Sequence, residues 1–153
     1  MSGKVKLVLK GFDDLLEQIQ RAGGKVEPAT ERALLQSANV LDQAIRNGAV
    51  ARNISTSAMV KPVVTWKGNR ASTEVGFELG EYNSANPSDG YLALFKEYGA
   101  PSKKGTNRKT KSGYNRGAEA PDPFIRPAVS ANKKTVQKAQ ENALNQILRE
   151  LKE

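Results

Sequence analysis

Residues 58–79, AMVKPVVTWKGNRASTEVGFEL, constrain the fold more than any other stretch of this chain. Two arms alternate apolar and polar residues on either side of Gly68-Asn69, a pair suited to the centre of a tight hairpin turn. A two-residue loop there predicts Trp66 opposite Ala71, Val64 opposite Thr73, Pro62 opposite Val75 and Val60 opposite Phe77. The other face of the second arm then carries Arg70, Ser72, Glu74 and Glu78. Side chains alternate with a period of two, so this register gathers the apolar residues on one face, with Trp66 expected to be largely buried. Pro62 has no amide hydrogen, which predicts that the first arm lies at a sheet edge or beside a bulge.

The flanking sequence supplies another strand and several helices. KVKLVLKG alternates Val5, Leu7 and Leu9 against lysines, a half-buried strand pattern. In GFDDLLEQIQRAGG, Phe12, Leu15, Leu16 and Ile19 recur at helical spacing; Asp13 and Asp14 suit the N-terminal dipole, and Gly23-Gly24 ends the run. A longer helix starts near Pro28, with Leu34, Leu35, Ala38, Leu41 and Ile45 on one stripe, and is expected to stop at Asn47-Gly48. YLALFKEYG reads as a short helix or a strand end closed by Gly99, and its residues do not decide between the two. A final helix is predicted from about Pro127 to Leu151. The expected fold class is α+β: a small antiparallel sheet with a central hairpin, packed against two N-terminal helices and a long C-terminal helix, in one domain over residues 1–153.

Composition removes whole classes of chemistry. The chain has no cysteine and no histidine, so disulfides, thiolate or imidazole metal ligands, and Ser-His or Cys-His nucleophiles are unavailable. The acids, among them Asp13, Asp14, Glu17 and Glu27, fall at helical spacing as solvated faces, and nothing marks a paired catalytic or magnesium site. GAPSKKGT places its lysines before the second glycine and fails the phosphate-loop pattern. No catalytic residue, metal or cofactor is therefore expected. No apolar run is long enough to span a bilayer, and the expectation is a cytoplasmic product with no membrane association.

The net charge of +8 is concentrated. Lys103, Lys104, Arg108, Lys109, Lys111 and Arg116 lie between Gly99 and Gly117 with no acid among them, leaving the rest nearly balanced. This stretch is too polar and glycine-rich to fold alone, which predicts a flexible basic loop over residues 99–117 facing an acidic partner or DNA phosphates. A sequence-independent nucleic-acid-binding protein acting through this loop is one reading of the chain.

APDPFIRPA, residues 120–128, supplies a different one. Each residue before a proline is pushed toward extended geometry, so Ala120, Asp122 and Arg126 are expected to be extended, with Pro127 in the first turn of the last helix. Phe124 and Ile125 are the apolar contacts that would pin this stiff lead-in to the body.

PFIRPA followed by a long C-terminal helix resembles the ending of tailed-bacteriophage neck and head–tail joining (tail-completion) proteins, typified by the gene-ten product of lambdoid phages. VKLVLKGFDDLLEQI resembles that family's opening strand and Leu-rich helix, and ERALLQSANVLDQAI its alanine-rich second helix. Ala93, Glu97, Tyr98 and Gly99 in LALFKEYGA match its alanine, glutamate, aromatic and glycine pattern. The chain departs where Ala100 replaces a common threonine, where Leu92 replaces a frequent tyrosine, and where GAVARNISTSAMV lacks a Pro-x-x-Thr-Gly-x-Leu segment. The resemblance implies a virion protein without catalytic activity, made in the host bacterial cytoplasm and located at the head–tail interface. It implies a homo-oligomeric ring, six copies favoured over twelve, between connector or head-closure proteins and tail-tube or tail-terminator proteins, with possible contact to packaged DNA. Ala93, Glu97, Tyr98 and Gly99 with Pro123, Phe124, Ile125, Arg126, Pro127 and Ala128 are then its signature and interface residues.

Overall fold

The computed structural model describes residues 3–80, 82, 86–99 and 120–152. In chain order these form β1 (Lys4–Val8), α1 (Asp13–Arg21), α2 (Val26–Ala51), a 3-10 turn (Thr56–Ala58), β2 (Thr65–Lys67), β3 (Arg70–Gly76), α3 (Asp89–Tyr98) and α4 (Ile125–Lys152). The three strands make one antiparallel sheet in the order β1-β3-β2. With four helices around it, this is the expected α+β class.

Two helices with buried residues every fourth position form the spine. On α2 the row is Ala29, Ala33, Ser37, Leu41, Ile45 and Ala49; on α4 it is Val136, Gln140, Leu144 and Leu148. Rows spaced by four are the ridges that interlock between packed helices, and the alanines let the two axes approach closely. The pair is antiparallel. Ala29 and Ala33 from the start of α2 share a cluster with Ala143, Leu144 and Leu148 near the end of α4, together with Ile19 of α1. Leu41, Ile45 and Ala49 from the end of α2 share another with Val136 of α4, Phe124, Ile125 and Ala93, closed on the sheet side by Val75 and Phe77. Leu34, Leu41, Ile45 and Leu144 are essentially solvent-free, each contributing about 1.5–3 kcal/mol by leaving water.

One polar link crosses this interior. Gln140 Nε2 donates to Ser37 Oγ at 3.2 Å and to the Val8 carbonyl at 3.3 Å, while Ser37 donates to the Leu34 carbonyl. A buried amide thus ties the end of β1 to both long helices, which satisfies groups that burial would otherwise penalise.

The hairpin forms about Gly68-Asn69, with Gly68 at φ +62° and pairs Lys67↔Arg70, Trp66↔Ala71 and Thr65↔Ser72. Gly at the first central position with positive φ is the turn whose twist matches the strands. The ladder then fails. Val64, Pro62 and Val60 do not take their expected partners; pairing resumes at Met59↔Phe77, one residue out of step. The extra residue belongs to the proline arm, which runs along the open edge because Pro62 cannot donate to a ladder. Trp66 is consequently half-buried rather than fully enclosed, and its indole N–H reaches Glu31 Oε1 on α2 at 2.7 Å.

Three boundaries differ from expectation. YLALFKEYG is a helix, opened by Ser88, whose Oγ accepts from the Tyr91 N–H, and closed by Gly99 at φ +84°. α2 runs through Asn47-Gly48 to Ala51. Gly48 is a packing residue: a Cβ there would lie 2.9 Å from Cδ2 of Phe124 and 3.0 Å from its Cβ. α4 begins at Ile125, so Arg126 is helical and not extended, and Pro127 sits in the first turn. No helix among the described residues is long and apolar enough to cross a membrane.

Candidate functional site

The early start of α4 has a cause elsewhere in the chain. The first N–H groups of a helix have no partner within it and need an acceptor from outside. Here the acceptor is Glu97 on α3. Its Oε2 accepts from the N–H of Phe124 and of Ile125, each at 2.8 Å, and its Oε1 from the N–H of Arg126 at 2.8 Å. Pro127 has no N–H to satisfy, and the Ala128 N–H already bonds the Phe124 carbonyl at 3.2 Å. Every donor at the start of α4 is accounted for.

Arg126 closes the arrangement. Its Nε donates to Glu97 Oε1 and a terminal guanidinium nitrogen to the Glu97 carbonyl, both at 2.8 Å. The guanidinium lies 4.7 Å from the centre of the Tyr98 ring, a cation–π distance. Glu97 is 1% exposed. Burial by itself pushes its carboxyl up; the N–H groups of Arg126 and Ile125, the Arg126 side chain and the Phe124 N–H together outweigh that and hold it below the ordinary carboxylate range. The positive end of the α4 dipole acts in the same direction. Four donors occupy this carboxylate, so its chemistry is that of a fixed anion and not of a base awaiting a proton.

The segment leading into α4 is gripped from the opposite side by Arg52, at the C-terminal end of α2. Its guanidinium donates to the carbonyls of Gly48, Asp122 and Pro123 and pairs with Asp122 Oδ1 at 3.0 Å. It also lies 5.3 Å from the centre of the Phe124 ring. The Asp122 N–H bonds the Lys96 carbonyl at 2.6 Å. Phe124 itself is buried, edge-on to Phe77 at 6.2 Å and against Gly48.

Of the residues singled out from sequence, Ala93, Glu97, Tyr98, Gly99, Pro123, Phe124, Ile125, Arg126, Pro127 and Ala128 are therefore parts of one joint. Ala93, Phe124 and Ile125 are its buried apolar side, Glu97 its centre, and Arg126, Pro127 and Tyr98 its solvent-facing surface. Lys103, Lys104, Arg108, Lys109, Lys111 and Arg116 lie outside the described residues. Arg52 was not among the candidates; an arginine just after a helix is ordinary, and no local pattern distinguishes this one. Among the described residues, no group of three or more acidic side chains is placed to hold a metal ion. No family model, curated protein or solved structure matches the chain.

Proposed function

We propose that this protein is a structural component of a tailed-bacteriophage neck, acting as one subunit of a ring that joins the tail to the DNA-filled head. The observation that carries the reading is the bond set of Glu97 with Phe124, Ile125 and Arg126. It unites two of the segments that carry the resemblance to neck and tail-completion proteins.

Mechanically, a joining protein works by presenting fixed surfaces to identical neighbours and to different proteins above and below. Ring closure uses heterologous contacts, in which one patch meets a different patch on the next copy. A joint already rigid in the subunit loses little conformational freedom on assembly, which favours association. Arg126, Pro127 and Tyr98 form the outward side of that joint. The partners proposed are further copies in a ring of six in preference to twelve, a connector or head-closure protein on the head side, and a tail-tube or terminator protein on the tail side. The six basic residues between Gly99 and Gly117 face an acidic surface of such a partner or the packaged DNA.

Virion assembly with Phe124→Ser tests this. Heads and tails are expected to accumulate as separate pieces, and normal particle yield would refute the joint's role. A variant with the six basic residues changed to serine separates the competing nucleic-acid reading. If joining is unaffected while the salt slope of DNA binding falls by roughly one unit per lost phosphate contact, the protein is a nucleic-acid binder.

A further inference from the structure

The sheet stops at β1, and the edge it leaves is chemically specific. The Phe77 N–H donates to the Gly3 carbonyl at 2.8 Å, and the register continues through Val5↔Val75 and Leu7↔Thr73. These residues turn their backbone groups toward β3, so alternation turns those of Lys6 and Val8 outward. The Val8 carbonyl takes the Gln140 amide. The N–H and C=O of Lys6 and the N–H of Val8 have no hydrogen-bond partner among the described residues.

Beside this edge a groove of about 240 Å³ runs between β1 and α4. Leu7, Val129 and Val136 line its floor, and Lys6, Lys10 and Lys133 stand around it, exposed. No acid lines the groove, and none of these three lysines forms an ion pair among the described residues; Glu74, opposite Lys6 across the ladder, is held by Lys4. Several other surface cations are paired, as in Arg32–Glu150, Arg52–Asp122 and Lys138–Glu141.

We propose that this groove receives an extended acidic segment of a partner protein, which adds to β1 as a fourth strand. An unpaired edge binds an extended peptide through main-chain hydrogen bonds, with alternate side chains supplying specificity. Alternating acidic and apolar residues would set carboxylates against Lys6, Lys10 and Lys133 and apolar side chains over Leu7, Val129 and Val136. A second copy of β1 is excluded as occupant, because its own lysine row would face this one. Nucleic acid is disfavoured by the floor, which is aliphatic and has no aromatic ring on which a base would stack. The site is separate from the Glu97 joint and needs nothing from the neck assignment.

The test uses the full chain and a short fluorescein-labelled peptide of alternating glutamate and valine, followed by fluorescence anisotropy. Binding is expected, weakened about tenfold when Lys6→Ala, Lys10→Ala and Lys133→Ala are combined. Val8→Pro keeps all three lysines and removes only an outward N–H, a change an edge strand tolerates, and it should abolish binding. In the unmodified protein, saturating peptide should slow hydrogen exchange at the Lys6 and Val8 amides, a readout that does not depend on how Val8→Pro folds. Absence of binding, unchanged exchange at both amides, or equal affinity for a lysine–valine peptide would overturn the proposal. Tighter binding of single-stranded DNA with the same lysine dependence would also overturn it, in favour of a nucleic-acid site.

Discussion

Replacing Glu97 by glutamine keeps the size of the side chain and removes its charge. One oxygen remains to accept from two main-chain N–H groups. The other becomes an NH₂ that must face donors, the N–H and Nε of Arg126 if the present arrangement is kept. Two hydrogen bonds and the charge opposite the α4 dipole are lost. A main-chain cap bond contributes about 1 kcal/mol and the dipole interaction about 0.5–1 kcal/mol. The Arg126 side chain is 57% exposed and its charge is screened by water, so its share is small. Glu97→Gln should therefore cost about 1.5–2 kcal/mol, and Glu97→Ala, which leaves all three main-chain donors without an acceptor, about 4 kcal/mol. In urea denaturation, the glutamine variant's midpoint should fall by about 1–2 M. The pH dependence identifies the cause. The Glu97 carboxyl lies lower in the folded protein than its ordinary value of 4.5, so its stabilisation is fully present above that pH and drains away as pH falls through the folded value. The gap between wild type and Glu97→Gln should hold above pH 4.5 and shrink as pH falls below it. A glutamine variant within about 0.5 kcal/mol of wild type, or a gap independent of pH, would refute the account of the joint.

Phe124→Ala should cost about 3–5 kcal/mol in chemical denaturation, because the ring fills the space between Phe77 and Gly48. Gly48→Ala sets a gain in helix propensity of about 1 kcal/mol against a clash at the root of the Phe124 ring, where the side chain has least freedom to move aside. The clash should win, giving net destabilisation of about 1–2 kcal/mol by the same measurement, partly relieved when Phe124→Leu is added. Trp66→Phe removes the bond to Glu31 from a half-buried site and should cost about 1 kcal/mol by thermal or urea unfolding.

The elements were legible where one periodicity dominated. The turn at Gly68-Asn69, the exposed face of β3 and the stripes of the long helices follow from spacing alone, because each buries one face against a single neighbour. What could not be read is what depends on contacts between distant residues. Gly48 looked like a helix stop because glycine is usually one; its role is set by Phe124, far along the chain. Arg126 precedes a proline and was expected to be extended, but three N–H groups converging on one buried carboxylate outweigh that local preference. The hairpin register held for the three pairs next to the turn and was lost from Val64 outward, where no turn geometry constrains it. PFIRPA and the Glu97 pattern were each visible as motifs. That they form one joint was not, since nothing in either segment encodes the other's position.

The main-chain bond from Asp122 to Lys96 has a consequence for how this chain is able to vary. It holds the end of α3 beside the entry to α4, so the two segments cannot drift independently of each other. The Glu97 joint is a socket: α3 supplies the acceptor and α4 the donors, so a change in either is tolerated only when the other is changed to match.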